Sequence, residues 1–98
     1  MIYQTARFQV KPNAVEKCRQ AIREFVDYVR TNEPETQMYL ALNQDDDPTR
    51  FLHVFIFEND FARDRHANSE AVKRFTSILY ANCVAPVEFT EYGLIAST

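Results

Sequence analysis

The chain has 98 residues, a formal net charge of −3 and a sequence pI of about 5.3. That length allows one domain over residues 1–98, and a charge with no basic stripe on any face offers nothing to nucleic acid. Cys18 and Cys83, far apart and in no metal-binding spacing, fit reduced thiols in a cytosol; no charged stretch precedes an apolar one as in a signal peptide, and the longest apolar run, Phe51 to Phe57, is too short to span a membrane.

Ile2 to Val10 alternates, with Ile2, Ala6, Phe8 and Val10 on one side and Tyr3, Thr5, Arg7 and Gln9 on the other, which predicts a first strand with one apolar face. Lys11-Pro12-Asn13 then opens a helix, because a proline in the first turn loses no useful N–H. Val15, Cys18, Ile22, Phe25 and Val29 recur at three- and four-residue steps and form its buried stripe, while Glu16, Lys17, Arg19, Gln20, Arg23 and Asp27 face water. Thr31-Asn32-Glu33-Pro34 ends it. Thr36 to Asn43 predicts a second strand with Met38, Leu40 and Leu42 on one face and Tyr39 and Ala41 on the other. Gln44 to Pro48 makes a polar turn. Arg50 to Glu58 is almost wholly apolar, as a central strand buried on both faces would be. Asn59 or Asp60 caps a second helix running to about Cys83, with a break near Asn68-Ser69. Phe61, Ala62, Ala67, Ala71, Val72, Phe75, Ile78 and Leu79 are its expected buried side, and Val87 to Ala96 is the last strand.

Strand-helix-strand, twice over, is the βαββαβ ferredoxin-like plan, an α+β fold with a four-stranded antiparallel sheet in the order 4-1-3-2. Both helices cover one face. Phe51, Phe55 and Phe57 project opposite to Leu52, Val54 and Ile56, so one of these apolar sets lies on the uncovered face. A monomer seldom exposes such a patch. A chain this small, with neither disulfides nor metal, gains most by burying area against a second copy. The expected partner is therefore the chain itself, as a homodimer joined through its sheet faces.

Two segments resemble those of the antibiotic biosynthesis monooxygenase (ABM) family. Phe8-Gln9-Val10-Lys11-Pro12-Asn13-Ala14-Val15-Glu16-Lys17 is similar to the "VKPG-x-xE" start of the family's first helix, with Asn13 in place of glycine. Phe55 to Phe75 resembles the signature "E-x-(D/E)-x-A-x-x-x-H-x-x-S-x-x-x-x-x-F" through Glu58, Asp60, Ala62, His66, Ser69 and Phe75. The resemblance implies a dimeric α+β barrel of ferredoxin-like subunits and, in characterised members, oxygenation of quinols, anthrones and related aromatics without a cofactor. A related branch degrades haem with an Asn–Trp–His set. This chain has no Trp, His66 stands where that Trp would fall, and Thr76 falls near the ligating His, which argues against haem.

His66 is the candidate catalytic residue, a helical imidazole able to take a proton from a phenol near neutral pH. The duller possibility is a structural His bridging the helix break. His53, mid-strand among aromatics, could donate to a substrate oxygen or be a satisfied buried histidine. Phe55, Phe75, Tyr80 and Tyr92, with Tyr39, could line a flat pocket for a small aromatic ligand, or serve as core and dimer contacts. His53, His66 and Glu58 do not converge as a metal set, since His53 and Glu58 face opposite sides of one strand. Arg7 could pair with Glu88 or Glu91 at a dimer interface, or steer an anionic ligand. Two functions fit: a cofactor-free monooxygenase of a quinol or polycyclic phenol, and a non-catalytic dimer that binds or senses a small aromatic or quinone.

Overall fold

Alternation in the strands and a stop at each proline set the order of elements in the computed structural model, which describes all 98 residues. The elements are β1 (Ile2–Gln9), a 3₁₀ turn (Pro12–Ala14), α1 (Val15–Asn32), β2 (Thr36–Asn43), β3 (Arg50–Phe57), α2 (Asp60–Ala67), α3 (Glu70–Asn82) and β4 (Glu88–Tyr92). The strands form one antiparallel sheet in the order β2-β3-β1-β4, so β3 and β1 are central. No helix is long and apolar enough to cross a membrane.

Lys11 is held extended, at ψ 142°, as the residue before a proline must be. The α1 stripe is buried where expected, at Cys18, Ile22, Phe25 and Val29. The Asn59 side chain accepts from the Ala62 N–H and starts α2, and the Ser69 hydroxyl accepts from the Val72 N–H and starts α3. Two separate caps thus divide what the sequence treats as one interrupted helix. Each helix buries a narrow stripe, Ala62 in α2 and Ala71, Phe75 and Leu79 in α3, whereas Phe61, Ala67 and Ile78 are exposed rather than covered.

β4 is also shorter than Val87 to Ala96. It is an edge strand paired only with β1, and that ladder stops at Tyr3↔Tyr92, one residue short of the start of β1. Beyond Tyr92 the chain has no partner strand to continue against.

The helices pack on one face of the sheet. There Phe8 stacks on Phe51 with centroids 5.1 Å apart, and Phe25 stacks on Phe75 at 4.5 Å, tying β1, β3, α1 and α3 together. β3 is not buried equally on both sides. Phe51, His53, Phe55 and Phe57 are buried beneath the helices, while Leu52, Val54 and Ile56 are half-buried on the side without helices. On that open face the register aligns Leu42–Leu52–Arg7–Glu88, then Leu40–Val54–Thr5–Thr90, then Met38–Ile56–Tyr3–Tyr92.

Candidate active site

Helix ends and strand pleat bring the site together on the covered face. β3 supplies His53 and Phe55, and β2 supplies Tyr39, whose Cα partner across the ladder is Phe55; the two rings stack at 5.2 Å. The last turn of α2 supplies His66. α1 ends with Glu33 as its C-cap, the Glu33 N–H donating to the Val29 carbonyl, and Pro34 turns the chain away toward β2.

That turn lays the Glu33 carboxylate against His66. The His66 Nδ1–H donates to Glu33 Oε1 at 2.7 Å, with both side chains nearly buried. Oε1 also accepts from the Thr36 hydroxyl at 2.9 Å. Arg65, beside His66, reaches Glu35 on the other side of Pro34 at 3.0 Å. Adjacent residues of α2 thus hold adjacent acids, and the clasp fixes where the imidazole sits. Burial acts to raise the Glu33 pKa, but the hydrogen bond and charge of His66, with help from Thr36 and Arg65, hold it below the ordinary carboxylate value. The carboxylate therefore stays charged, keeps the hydrogen on His66 Nδ1, and leaves Nε2 as the nitrogen free to act on a ligand.

The imidazole lies in an aromatic nest. Phe57 is tilted against it at 5.1 Å, Phe25 meets it edge-on at 5.6 Å, and Tyr39 lies at 6.0 Å. The Tyr39 hydroxyl is 2.8 Å from His53 Nδ1. Burial, then the Glu33 charge, push the Tyr39 phenol well above its usual pKa. Burial alone pulls the His53 imidazole down to about 4. Near neutral pH both are uncharged, so a single hydrogen, from the phenol or from Nδ1, makes this contact.

These groups wall a cavity of about 370 Å³ between the sheet, α2 and α3. Its lining is mostly apolar and aromatic, with Arg63, Asp64 and Lys73 as the charged members. Arg63 is already bound to Asp60, Asp64 and Glu91, and Lys73 to Glu70.

Of the residues singled out from the sequence, the structure brings His66, His53, Phe55, Phe75 and Tyr80 into this one cavity; Phe75 is buried and Tyr80 half-exposed. Tyr92 is elsewhere, on the open sheet face beside Tyr3. Arg7 lies on that same face with Glu88 next to it in register but no ion pair between them, and Glu91 is engaged by Arg63. Glu33 escaped the sequence reading. An acid before a helix-ending proline carries no sign of a partner 33 positions away.

The family model for "Antibiotic biosynthesis monooxygenase" matches residues 1–77, and the chain belongs to that family. A crystal structure of an antibiotic biosynthesis monooxygenase is 22% identical, covers 98% of this chain and all of its own, and superposes with a TM-score of 0.91. A candidate antibiotic biosynthesis monooxygenase from Nitrosomonas europaea is 21% identical, with 98% and 100% of the two chains covered and a TM-score of 0.89. A third, from Deinococcus radiodurans, is 17% identical over 100% and 96%, with a TM-score of 0.87. At these identities the likeness establishes a shared fold. None of the curated proteins matches the chain.

Proposed function

We propose that the protein is a cofactor-independent monooxygenase of a quinol or of a polycyclic phenol or anthrone, with His66 as the base. The observation that carries this reading is His66 in the wall of an aromatic-lined cavity, held from behind by the Glu33 carboxylate. A pocket of a few hundred cubic ångströms suits a ligand of two or three rings.

His66 Nε2 takes the phenolic proton, and the electron-rich anion passes one electron to O₂. Superoxide and the aryloxyl radical recombine at a ring carbon, forming the C–O bond. The hydroperoxide then loses water as its O–O bond breaks, leaving a new carbonyl. A hydroquinone plus O₂ thus becomes a hydroxyquinone plus H₂O, and the proton held by His66 leaves with the water. The protein supplies the base, the orientation and a site poor in water.

Oxygen uptake with 1,4-dihydroxynaphthalene or anthrone tests the reading. His66→Ala is expected to slow turnover roughly 10²- to 10⁴-fold, and Glu33→Gln, which keeps the contact without the charge, by less. Equal uptake by wild type and His66→Ala removes His66 as the base. The same apolar and aromatic walls also suit a module that holds a quinone without converting it; tight binding of 1,4-naphthoquinone with no oxygen uptake separates the two functions.

In this proposal the working unit is a homodimer closed through the open sheet faces. Leu40 and Leu42 are nearly half exposed there, at 45% and 46%, and Tyr92 at 52%, beside Leu52, Val54 and Ile56. Arg7 and Glu88, at one end of that face, would pair with the second copy in this dimer. A reducing cytosol fits Cys18 and Cys83, which are free thiols.

A further inference from the structure

In the whole chain two buried side-chain polar atoms lack a hydrogen-bond partner, Glu33 Oε2 and His53 Nε2, and both lie beside Tyr39. Glu33 is largely accounted for, because its other oxygen receives both His66 and Thr36. His53 is not. It is 1% exposed, the residue lines the cavity, and its buried Nε2 meets no hydrogen-bonding group. An unmatched buried polar atom costs stability that a merely structural residue has no reason to forgo. The identity of the atom follows from the Tyr39 contact. A phenol has one hydrogen, and His53 Nδ1 is its sole partner. If Nδ1 carried the hydrogen, the phenol hydrogen and the Nε2 lone pair would both be stranded. With the phenol donating, one unmatched group remains, the Nε2–H.

We propose, building on the cavity reading above, that His53 is a positioning residue that donates its Nε2–H to an oxygen of the bound aromatic, with Tyr39 fixing the tautomer. The ring of Tyr39 stands between the two histidines, 5.4 Å from His53 and 6.0 Å from His66. A ligand lying in the cavity can then present one oxygen to the base at His66 and a second, remote oxygen to the donor at His53. The site selects aromatics carrying two oxygens on opposite sides of the ring system over those carrying one. A neutral donor suits a phenol, a phenolate or a carbonyl equally, so it can hold the same oxygen through a change in the ring's oxidation state.

Anaerobic calorimetry with 1,4-dihydroxynaphthalene and 1-naphthol, probes that differ by one oxygen, tests this. The wild type is expected to bind the dihydroxy compound roughly ten- to a hundredfold more tightly. The double variant Tyr39→Phe/His53→Phe, which removes both partners and strands neither, is expected to lose that preference while retaining 1-naphthol. In the wild type, ¹⁵N-edited spectra should show a protonated Nε2 on His53 whose proton resonance moves downfield with 1,4-dihydroxynaphthalene and not with 1-naphthol. Equal binding of the two probes by the wild type, a preference that survives in the double variant, or a hydrogen on Nδ1 overturns the assignment of His53 and leaves the cavity reading standing. Failure of both probes to bind overturns both.

Discussion

On the covered face of β3, Phe51, His53, Phe55 and Phe57 are each at most 6% exposed, whereas Leu52, Val54 and Ile56, alternating with them, are half-buried. The two sets come from one strand and are similarly apolar. What separates them is the layer above. α1 and α3 close over the aromatics, and the open-face set has no second layer in the subunit. The covered face also holds the polar exceptions, His53 and the Glu33–His66 pair, and burial there lowers the His53 pKa and raises that of Tyr39. Apolar content alone therefore does not say which face is the core; the direction of the helix stripes does.

The largest expected effect tests the covered face. Phe57→Ala, at a side chain 1% exposed, should cost about 3–5 kcal/mol of unfolding free energy in a urea titration, whereas Leu42→Ala on the open face should cost a small fraction of that in the monomer. Similar losses would erase the contrast. Next comes pH. Folded His53 resists protonation down to about 4, against 6.5 for the unfolded side chain. The unfolded state therefore binds the extra proton in between, and stability falls as pH drops through that window, by on the order of 3 kcal/mol in all. The Tyr39→Phe/His53→Phe variant should lose this acid-side slope. Glu33 acts lower: its depressed pKa gives stability present above 4.5 and lost as pH falls through its folded value.

The open face is tested by Val54→Asp. The wild type should sediment as a dimer at micromolar concentration and the variant as a folded monomer with the same far-UV circular dichroism; a monomeric wild type would remove the face-to-face assembly. The smallest effect belongs to the outer side of α1. Arg30 and Asp27 pair at 2.7 Å but are 72% and 70% exposed, so Arg30→Ala should change stability by no more than about 0.5 kcal/mol.

Strand order, the α1 stripe and the Ser69 break were legible because each has a local cause: alternation, periodicity, or a capping residue at the right offset. The length of β4 was not, since it is set by where β1 begins, 90 residues earlier in the chain. Nor were Phe61 and Ile78, each one position, about 100°, off the buried stripe of its own helix. The cavity was half legible. The family resemblance pointed to His66, and pleat direction put His53 with Phe55. Tyr92 shares the aromatic character of Tyr39 but falls on the opposite pleat once β4 pairs with β1. Glu33 depends on a contact between the end of one helix and the end of another, and nothing local announces it.

The helix that carries His66 is short and lightly moored. α2 runs only from Asp60 to Ala67, and Ala62 is its one fully buried residue. Its remaining ties are the Asn59 cap, the polar clasp on the two acids around Pro34, the exposed Arg63–Glu91 pair and the ring contacts of His66. Such a segment opens at a lower free energy than the strands beneath it. Its amides should exchange with deuterium well before those of β3, and an occupied cavity should slow them. Under the proposed function, the wall that carries His66 would also be the doorway, admitting a flat molecule by brief release of one helix while the sheet stays intact.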